Sequence, residues 1–146
     1  MKSRLLVLFC IFLLALGCSK DNNSSGPTIK LKSYSGLVIP SGAFTADLTY
    51  SQSGGNLSGD TLVILYRRYN KSQIPPTDQR SDSFLTFMPQ TPNTNQAGFS
   101  TTLSWANISY GINNENDTVD FRFVLIDLQG NHSDTVTTGK VIVTQQ

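Results

Sequence analysis

Few residues in this sequence are of the types that carry out catalysis. His132 is the only histidine among 146 residues, and it lies in a predicted turn beside Asn131 and Ser133. A serine hydrolase would have to recruit its serine and its acid from distant segments, and the G-x-S-x-G nucleophile motif does not occur. One histidine is also too few for the usual zinc ligand sets. The sequence therefore predicts a solvated turn histidine, no catalytic residue, no metal site and no cofactor.

Carboxylates are the other source of chemistry to consider, because a pair of them can hydrolyse a glycosidic bond. Most of the aspartates beyond residue 27 flank predicted turns, where aspartate forms local hydrogen bonds with the backbone. Residues 113–117 offer the oxygen ligands that calcium prefers, but without the spacing of an EF-hand loop. We therefore expect turn residues, a polar loop and no buried pair of acids.

Both cysteines, Cys10 and Cys18, lie at the start of the chain, so the sequence after them has no disulfide framework. Residues 1–4 carry positive charge and residues 5–16 are apolar. This apolar run is too short to span a bilayer, which takes about 20 residues, but it is typical of a signal peptide. Residues 19–27 are polar and linker-like. We expect a cleaved leader and then a flexible tether.

The segment Leu14-Ala15-Leu16-Gly17-Cys18 resembles the lipobox of bacterial lipoproteins, and the polar residues after it are similar to those of Bacteroidota lipoproteins. The resemblance implies removal of residues 1–17, a diacylglyceryl group on the Cys18 thiol, an acyl chain such as palmitate on the new N-terminus, and a tether over residues 18–27. It also implies a lipid-anchored protein of the cell envelope, with the outer membrane expected and the facing side undecided.

The junction departs from the lipobox at Ala15, where the family prefers leucine. Ala15-Leu16-Gly17 also fits ordinary signal peptidase, which would release a soluble protein with a free thiol. Without Lys2 and Arg4, nine basic residues remain beside ten acidic ones, which gives 9 − 10 = −1. Since the sequence has no basic patch, it predicts no nucleic-acid partner.

Beyond residue 27 the apolar residues follow a period of two, in short runs separated by turn residues, and no run has a helical period. Residues 61–69 are apolar on both faces, as in a central strand. The predicted strands are residues 28–33, 44–50, 61–69, 83–88, 98–105, 118–127 and 133–144. This pattern predicts an all-β domain over residues 28–146, a two-sheet antiparallel sandwich of about seven strands.

The segment from Phe121 to Thr135 resembles the last hairpin of bacterial immunoglobulin-like and fibronectin type III-like domains. Those hairpins often carry an aspartate, then Gly-Asn, then a serine or threonine, as do Asp127, Gly130-Asn131 and Ser133 here. The resemblance implies an immunoglobulin-like sandwich. A jelly roll or a small barrel stays open as an alternative.

In such a sandwich the first strand begins at the end that carries loops 51–60, 89–97 and 127–133. Loops 35–43, 70–82 and 106–117 then lie at the opposite end, and we expect a protein or glycan partner there, since loops on a rigid scaffold often carry binding. Trp105 shares parity with Phe99 and Leu103, which favours a core position. The candidate contact residues are Tyr69, Lys71, Ile74, Arg80, Ile108 and Tyr110.

Three threonines, Thr61, Thr118 and Thr135, each follow an aspartate and precede an aliphatic residue. These triplets are similar to Bacteroidota O-glycosylation sites, although a strand that starts after a turn aspartate has the same pattern. The sequence as a whole predicts a membrane-anchored, non-catalytic binding or structural module. An envelope hydrolase and a carbohydrate-binding module are the alternatives. A buried pair of titratable groups in a cleft, with shifted pKa values, would favour the hydrolase. Exposed, coplanar Trp105 and Tyr110 would favour the carbohydrate-binding module.

Overall fold

The computed structural model describes residues 26–52, 58–70, 82–88, 96–109 and 115–145. Within these residues the chain forms strands and a single turn of helix, α1 (Trp105–Ile108), so the predicted all-β class is confirmed. The strands are β1 (Thr28–Tyr34), β2 (Leu37–Val38), β3 (Ala43–Ser51), β4 (Thr61–Arg68), β5 (Ser83–Phe87), β6 (Gln96–Ser104), β7 (Asp117–Ile126), β8 (Val136–Thr137) and β9 (Val141–Val143).

The strands form two sheets. The first sheet has the order β1-β3-β6, and the second has the order β2-β9-β7-β4-β5, with β8 also paired to β7. Among the described residues every pair is antiparallel except β2 with β9, which is parallel. The predicted two-sheet all-β sandwich is confirmed, with one parallel pair that an antiparallel prediction did not include.

The final predicted strand, residues 133–144, is divided into β8 and β9. The chain leaves the sheet between them, and Thr138 makes two hydrogen bonds to Phe121 where the interruption begins. The Thr138 N–H donates to the Phe121 carbonyl at 2.9 Å, and the Phe121 N–H donates to the Thr138 hydroxyl at 2.9 Å. A side chain thus replaces a backbone partner, which keeps this buried stretch of β7 satisfied.

Alternate side chains of β3, β4 and β7 fill the space between the sheets, as the period of two requires. Phe44 of the first sheet stacks on Phe121 of the second, with ring centroids 3.9 Å apart. Burial of one such ring contributes about 1.5–3 kcal/mol. The buried hydrophobic residues of these strands are Phe44, Ala46, Leu48, Tyr50, Leu62, Ile64, Tyr66, Val119, Phe121, Phe123 and Leu125.

Helix α1 follows β6 directly and was not predicted, because four residues are too few to show a helical period. Trp105, at its start, is partly buried against the core, in agreement with the core position expected from its parity. Its indole Nε1–H donates to the Thr144 carbonyl at 2.7 Å. The ring is therefore held between α1 and the end of the last strand.

The two ends of the sandwich carry different loops. Thr28 pairs with Ser51, and Thr61 pairs with Ile126, so the start of β1 lies at the end that carries residues 51–52, 58–60 and 127–133. Gly26 confirms this placement, because a Cβ on Gly26 would lie 3.2 Å from the His132 carbonyl oxygen. We call this end the proximal end. The opposite end, which carries residues 35–43, is the distal end.

Tyr34, at the distal end of β1, connects the first sheet to the second. Its hydroxyl accepts a hydrogen bond from the Gly139 N–H at 3.0 Å. A Cβ on Gly139 would lie 2.6 Å from that hydroxyl, so a side chain there would have to displace the Tyr34 hydroxyl. The last residue of the first strand is thereby attached to the segment between β8 and β9.

Replacing Phe121 by alanine tests the packing between the sheets. Phe121→Ala leaves a cavity beneath Phe44, so we expect the free energy of unfolding to fall by about 3–5 kcal/mol. Chemical denaturation followed by circular dichroism measures it. The control is Thr137→Ala, an exposed position on the same sheet, with an expected change below about 0.5 kcal/mol. Equal losses in the two variants would contradict the stacked core.

Candidate functional site at the distal end

The outer face of the second sheet carries a cluster of polar side chains near the distal end. Arg67 of β4 pairs with Asp120 of β7, and Tyr69 continues β4 by donating its N–H to the Thr118 carbonyl at 2.8 Å. Because side chains alternate along a strand, Arg67 and Tyr69 share the outer face. We call Arg67, Tyr69, Asp120 and Lys140 the distal cluster.

Asp120 is the centre of the distal cluster. Its Oδ2 accepts hydrogen bonds from Arg67 at 2.7 Å and from the Tyr69 hydroxyl, which itself accepts from Arg67. Burial by itself raises the pKa of Asp120, but the hydrogen bonds from Tyr69 and Arg67 and the guanidinium charge hold it below its usual value. The bond to Asp120 raises the pKa of Tyr69, which therefore stays a neutral donor.

The ring of Tyr69 lies near two cations. The guanidinium carbon of Arg67 is 4.8 Å from the ring centroid, and the Lys140 Nζ is 5.0 Å from it. The ring, the guanidinium and the carboxylate therefore hold one another in place on the surface. Such an arrangement presents fixed donors and an aromatic edge, which suits binding of a polar partner.

Beneath the distal cluster lies a buried ion pair. Arg68, the next residue along β4, points to the inner side and pairs with Asp117, which is fully buried. Arg68 also donates to the Ile108 carbonyl at 2.9 Å and to the Tyr66 hydroxyl at 3.3 Å. Burial raises the pKa of Asp117, and the charge of Arg68 opposes that shift. The pair fixes α1 against β4 and β7.

Asn70 connects the described parts of two loops that the sequence predicts at this end. Its Nδ2 donates to Glu115 Oε1 at 3.2 Å and to the Asn116 carbonyl at 3.1 Å. Its Oδ1 accepts from the Thr118 N–H at 3.0 Å. One amide side chain thus satisfies backbone groups on both sides of the start of β7.

Apolar side chains lie beside the distal cluster. Leu37 of β2 pairs with Ile142 of β9, and Ile142 pairs with Thr118 of β7, whose carbonyl accepts from the Tyr69 N–H. The three residues therefore lie in a row across the sheet that ends beside Tyr69. We call Leu37 and Ile142 the apolar row. Leu37 and Ile39 are each 57% exposed. The turn after Ile39 is tight, with Ser41 at φ 64°. Exposed apolar residues beside oriented polar groups have the composition of a binding surface.

Of the predicted contact residues, Tyr69 lies in the distal cluster, whereas the prediction for Ile108 is wrong. Ile108 is fully buried, because the single turn of α1 directs its side chain into the core. Arg67, Asp120 and Lys140 were not predicted, since they meet only through strand pairing. The other predicted contacts, Lys71, Ile74, Arg80 and Tyr110, lie outside the described residues.

The expectation of no buried pair of acids is also wrong. Asp60 and Asp127 are both buried at the proximal end, and the charge of Asp127 is one of the causes that raise the pKa of Asp60, after burial. Asp127 Oδ1 accepts from the N–H groups of Gln129 at 2.9 Å and Asn131 at 2.7 Å, and Asp60 Oδ1 accepts from Leu128 N–H at 3.2 Å. Both acids therefore stabilise a turn.

The remaining sequence predictions concern modification, metal binding and membrane spans. Thr61 and Thr118 are half-buried within strands and Thr135 is exposed, and their glycosylation stays a prediction. His132 is exposed in the turn, as predicted. Among the described residues no group of three His, Cys, Asp or Glu side chains is placed to hold a metal ion. No helix in the described ranges is long and apolar enough to cross a membrane.

Comparison with known proteins shows only distant structural likeness. No protein-family model matches the chain, and no curated protein matches it. A beta-glucosidase from Listeria innocua in complex with glucose is similar over 80% of this chain and 16% of its own, with 13% identity and a TM-score of 0.43. AvmM, which catalyses macrocyclization in alchivemycin A biosynthesis, is similar over 84% of this chain and 90% of its own, with 10% identity and a TM-score of 0.37. Likeness this weak carries no functional argument.

The two neighbouring arginines provide a matched test of burial. The Arg68 side chain is 12% exposed and that of Arg67 is 55% exposed. Arg68→Met leaves the Asp117 carboxylate unpaired in the interior, so we expect a loss of about 3–5 kcal/mol in the free energy of unfolding. Arg67→Met is expected to cost much less, because the exposed guanidinium is screened by solvent. Urea denaturation of both variants measures the difference, and equal losses would contradict the buried pair.

Asp120 predicts a pH dependence. Its folded pKa lies below the unfolded value of about 3.9, so its stabilisation is complete above that value and is lost as the pH falls through the folded pKa. Asp120→Asn should lower the free energy of unfolding by about 1–2 kcal/mol at neutral pH. The difference from the parent should shrink in acid. Denaturation series across pH test this, with the exposed Asp134→Asn as the control; a constant difference would refute it.

Proposed function

We propose that the protein is a lipid-anchored lipoprotein of the cell envelope that acts as a non-catalytic binding or structural module. In this proposal the leader, residues 1–17, is removed and Cys18 carries the lipid. The resemblance of Leu14-Ala15-Leu16-Gly17-Cys18 to a lipobox supports the anchor. The protein or glycan partner contacts the distal cluster and the apolar row beside it.

The observation that carries the proposal is the position of Gly26. It lies at the proximal end against the Asn131–His132 turn, whereas the distal cluster lies at the other end. Eight residues separate Cys18 from Gly26 (26 − 18 = 8), a length that reaches at most roughly 29 Å. A nine-residue strand such as β3 is about 30 Å long. An anchor at Cys18 would therefore attach to the end of the domain opposite the distal surface.

The chemistry of the distal cluster favours binding over catalysis. Asp120 already accepts two hydrogen bonds and its pKa is lowered, so it is a poor general acid or base near neutral pH. Arg67 and Tyr69 are of the residue types that are enriched in protein interfaces. A sugar-binding platform built on Trp105 is less favoured, because that ring is partly buried against the core.

Intact mass spectrometry tests the anchor. We expect the membrane-extracted protein to have the mass of residues 18–146 plus a diacylglyceryl group and an acyl chain. Cys18→Ser should abolish both the lipid mass and recovery from membranes, and Cys10→Ser is the matched control that should change neither. A mature protein that starts elsewhere, or that carries a free thiol at Cys18, would overturn the proposal.

A further inference from the structure

Three large apolar side chains are exposed on the proximal half of the second sheet. Phe87 is 77% exposed, Leu85 is 70% exposed and Leu128 is 67% exposed. Leu85 and Phe87 are two residues apart on β5, so both point to the outer face. We call these three residues the proximal apolar patch. Exposed side chains of this size in one region are typical of an interaction surface.

The residues of the patch are held together by the start of β4. Phe87 pairs with Thr61, and the next residue, Met88, donates its N–H to the Asp60 carbonyl at 2.8 Å. On the other side, Asp60 Oδ1 accepts from the Leu128 N–H at 3.2 Å. Phe87 and Leu128 thus lie on the two sides of one backbone segment.

The patch has no outward charge among the described residues that form it. Segments 58–63, 85–88 and 126–131 contain no lysine, arginine or glutamate. Their two aspartates, Asp60 and Asp127, are buried and bound to backbone N–H groups. A surface that turns its acids inward and its leucines and phenylalanine outward can enter the headgroup region without removing a charge from water.

We infer that the proximal apolar patch docks on the lipid surface to which Cys18 is anchored, and this inference rests on the proposed anchor. The chain from Cys18 enters the domain at Gly26, at the same end as Phe87 and Leu128. The polar, linker-like sequence of residues 19–27 does not by itself specify an orientation. Contact of the patch with the bilayer fixes the orientation, with the proximal end toward the lipid.

Quenching by brominated lipids tests the contact. A chain of residues 18–146, which contains every residue of the core from Ile29 to Val143, is coupled through the Cys18 thiol to a maleimide lipid in phosphatidylcholine vesicles. Tryptophan reporters are introduced as Phe87→Trp in the patch and as Leu37→Trp at the distal end. Trp105 is a background common to both.

Quenching should be at least about threefold greater at the patch reporter, because membrane contact buries side chains by about 5–10 Å, whereas the distal end lies about 30 Å away. Adding Leu128→Ser should lower the quenching of the Phe87→Trp reporter, whereas Ile39→Ser, an exposed distal control, should not. Phosphatidylglycerol should leave the signal unchanged, because the patch has no basic side chain.

Equal quenching of the two reporters would overturn the docking. It would also be overturned if a second copy of the chain covered the patch and shielded the Phe87→Trp reporter from the lipid. The thiol coupling supplies the attachment in every sample. The result is therefore independent of whether Cys18 is acylated in the cell, and a failure of the docking can be distinguished from a failure of the anchor.

Discussion

The register in which β4 pairs with β7 determines what reaches each face of the larger sheet. Tyr66 opposite Phe121 places two aromatic rings in the core, and Arg67 opposite Asp120 places an ion pair on the outer face. A slip of one residue would place Arg67 opposite Phe121 on the same face, so that either the arginine would be buried or the phenylalanine exposed. The core and the distal cluster therefore depend on the same alignment of two strands.

A buried ion pair also favours this register of β4 against β7. Arg68 and Asp117 lie at the distal end of the same two strands, and Arg68 also contacts the Ile108 carbonyl of α1. Such a pair contributes little net stability, because both ions lose their hydration. Its geometry is nevertheless specific, since any other register leaves a charge without a partner. Hydrophobic burial thus stabilises the sandwich, and we infer that this pair helps to select one arrangement of it.

The long strands were predictable from the sequence because alternation needs no knowledge of neighbours, and β3 and β7 alternate over nine and ten residues. Strand β2, with two residues, and α1, with four, are too short to show a period. The distal cluster was predictable only through Tyr69. Arg67 and Asp120 are 53 positions apart, and their contact follows from strand register, which one sequence does not reveal. Ile108 was wrongly predicted to be exposed for a similar reason, because the sequence does not show that the turn of α1 directs its side chain into the core.

The hydrogen bond between Tyr34 and Gly139 has a mechanical consequence. In a chain held at Cys18 and engaged at its distal surface, tension enters through Gly26 and runs along β1 toward Tyr34. The antiparallel bonds from Thr28↔Ser51 to Tyr34↔Ala46 are then loaded in shear, all at once, rather than being peeled one by one. Next to the last of them, the Tyr34 hydroxyl is bonded to the Gly139 N–H, on the segment between β8 and β9. In such a chain the first strand would carry the load in shear.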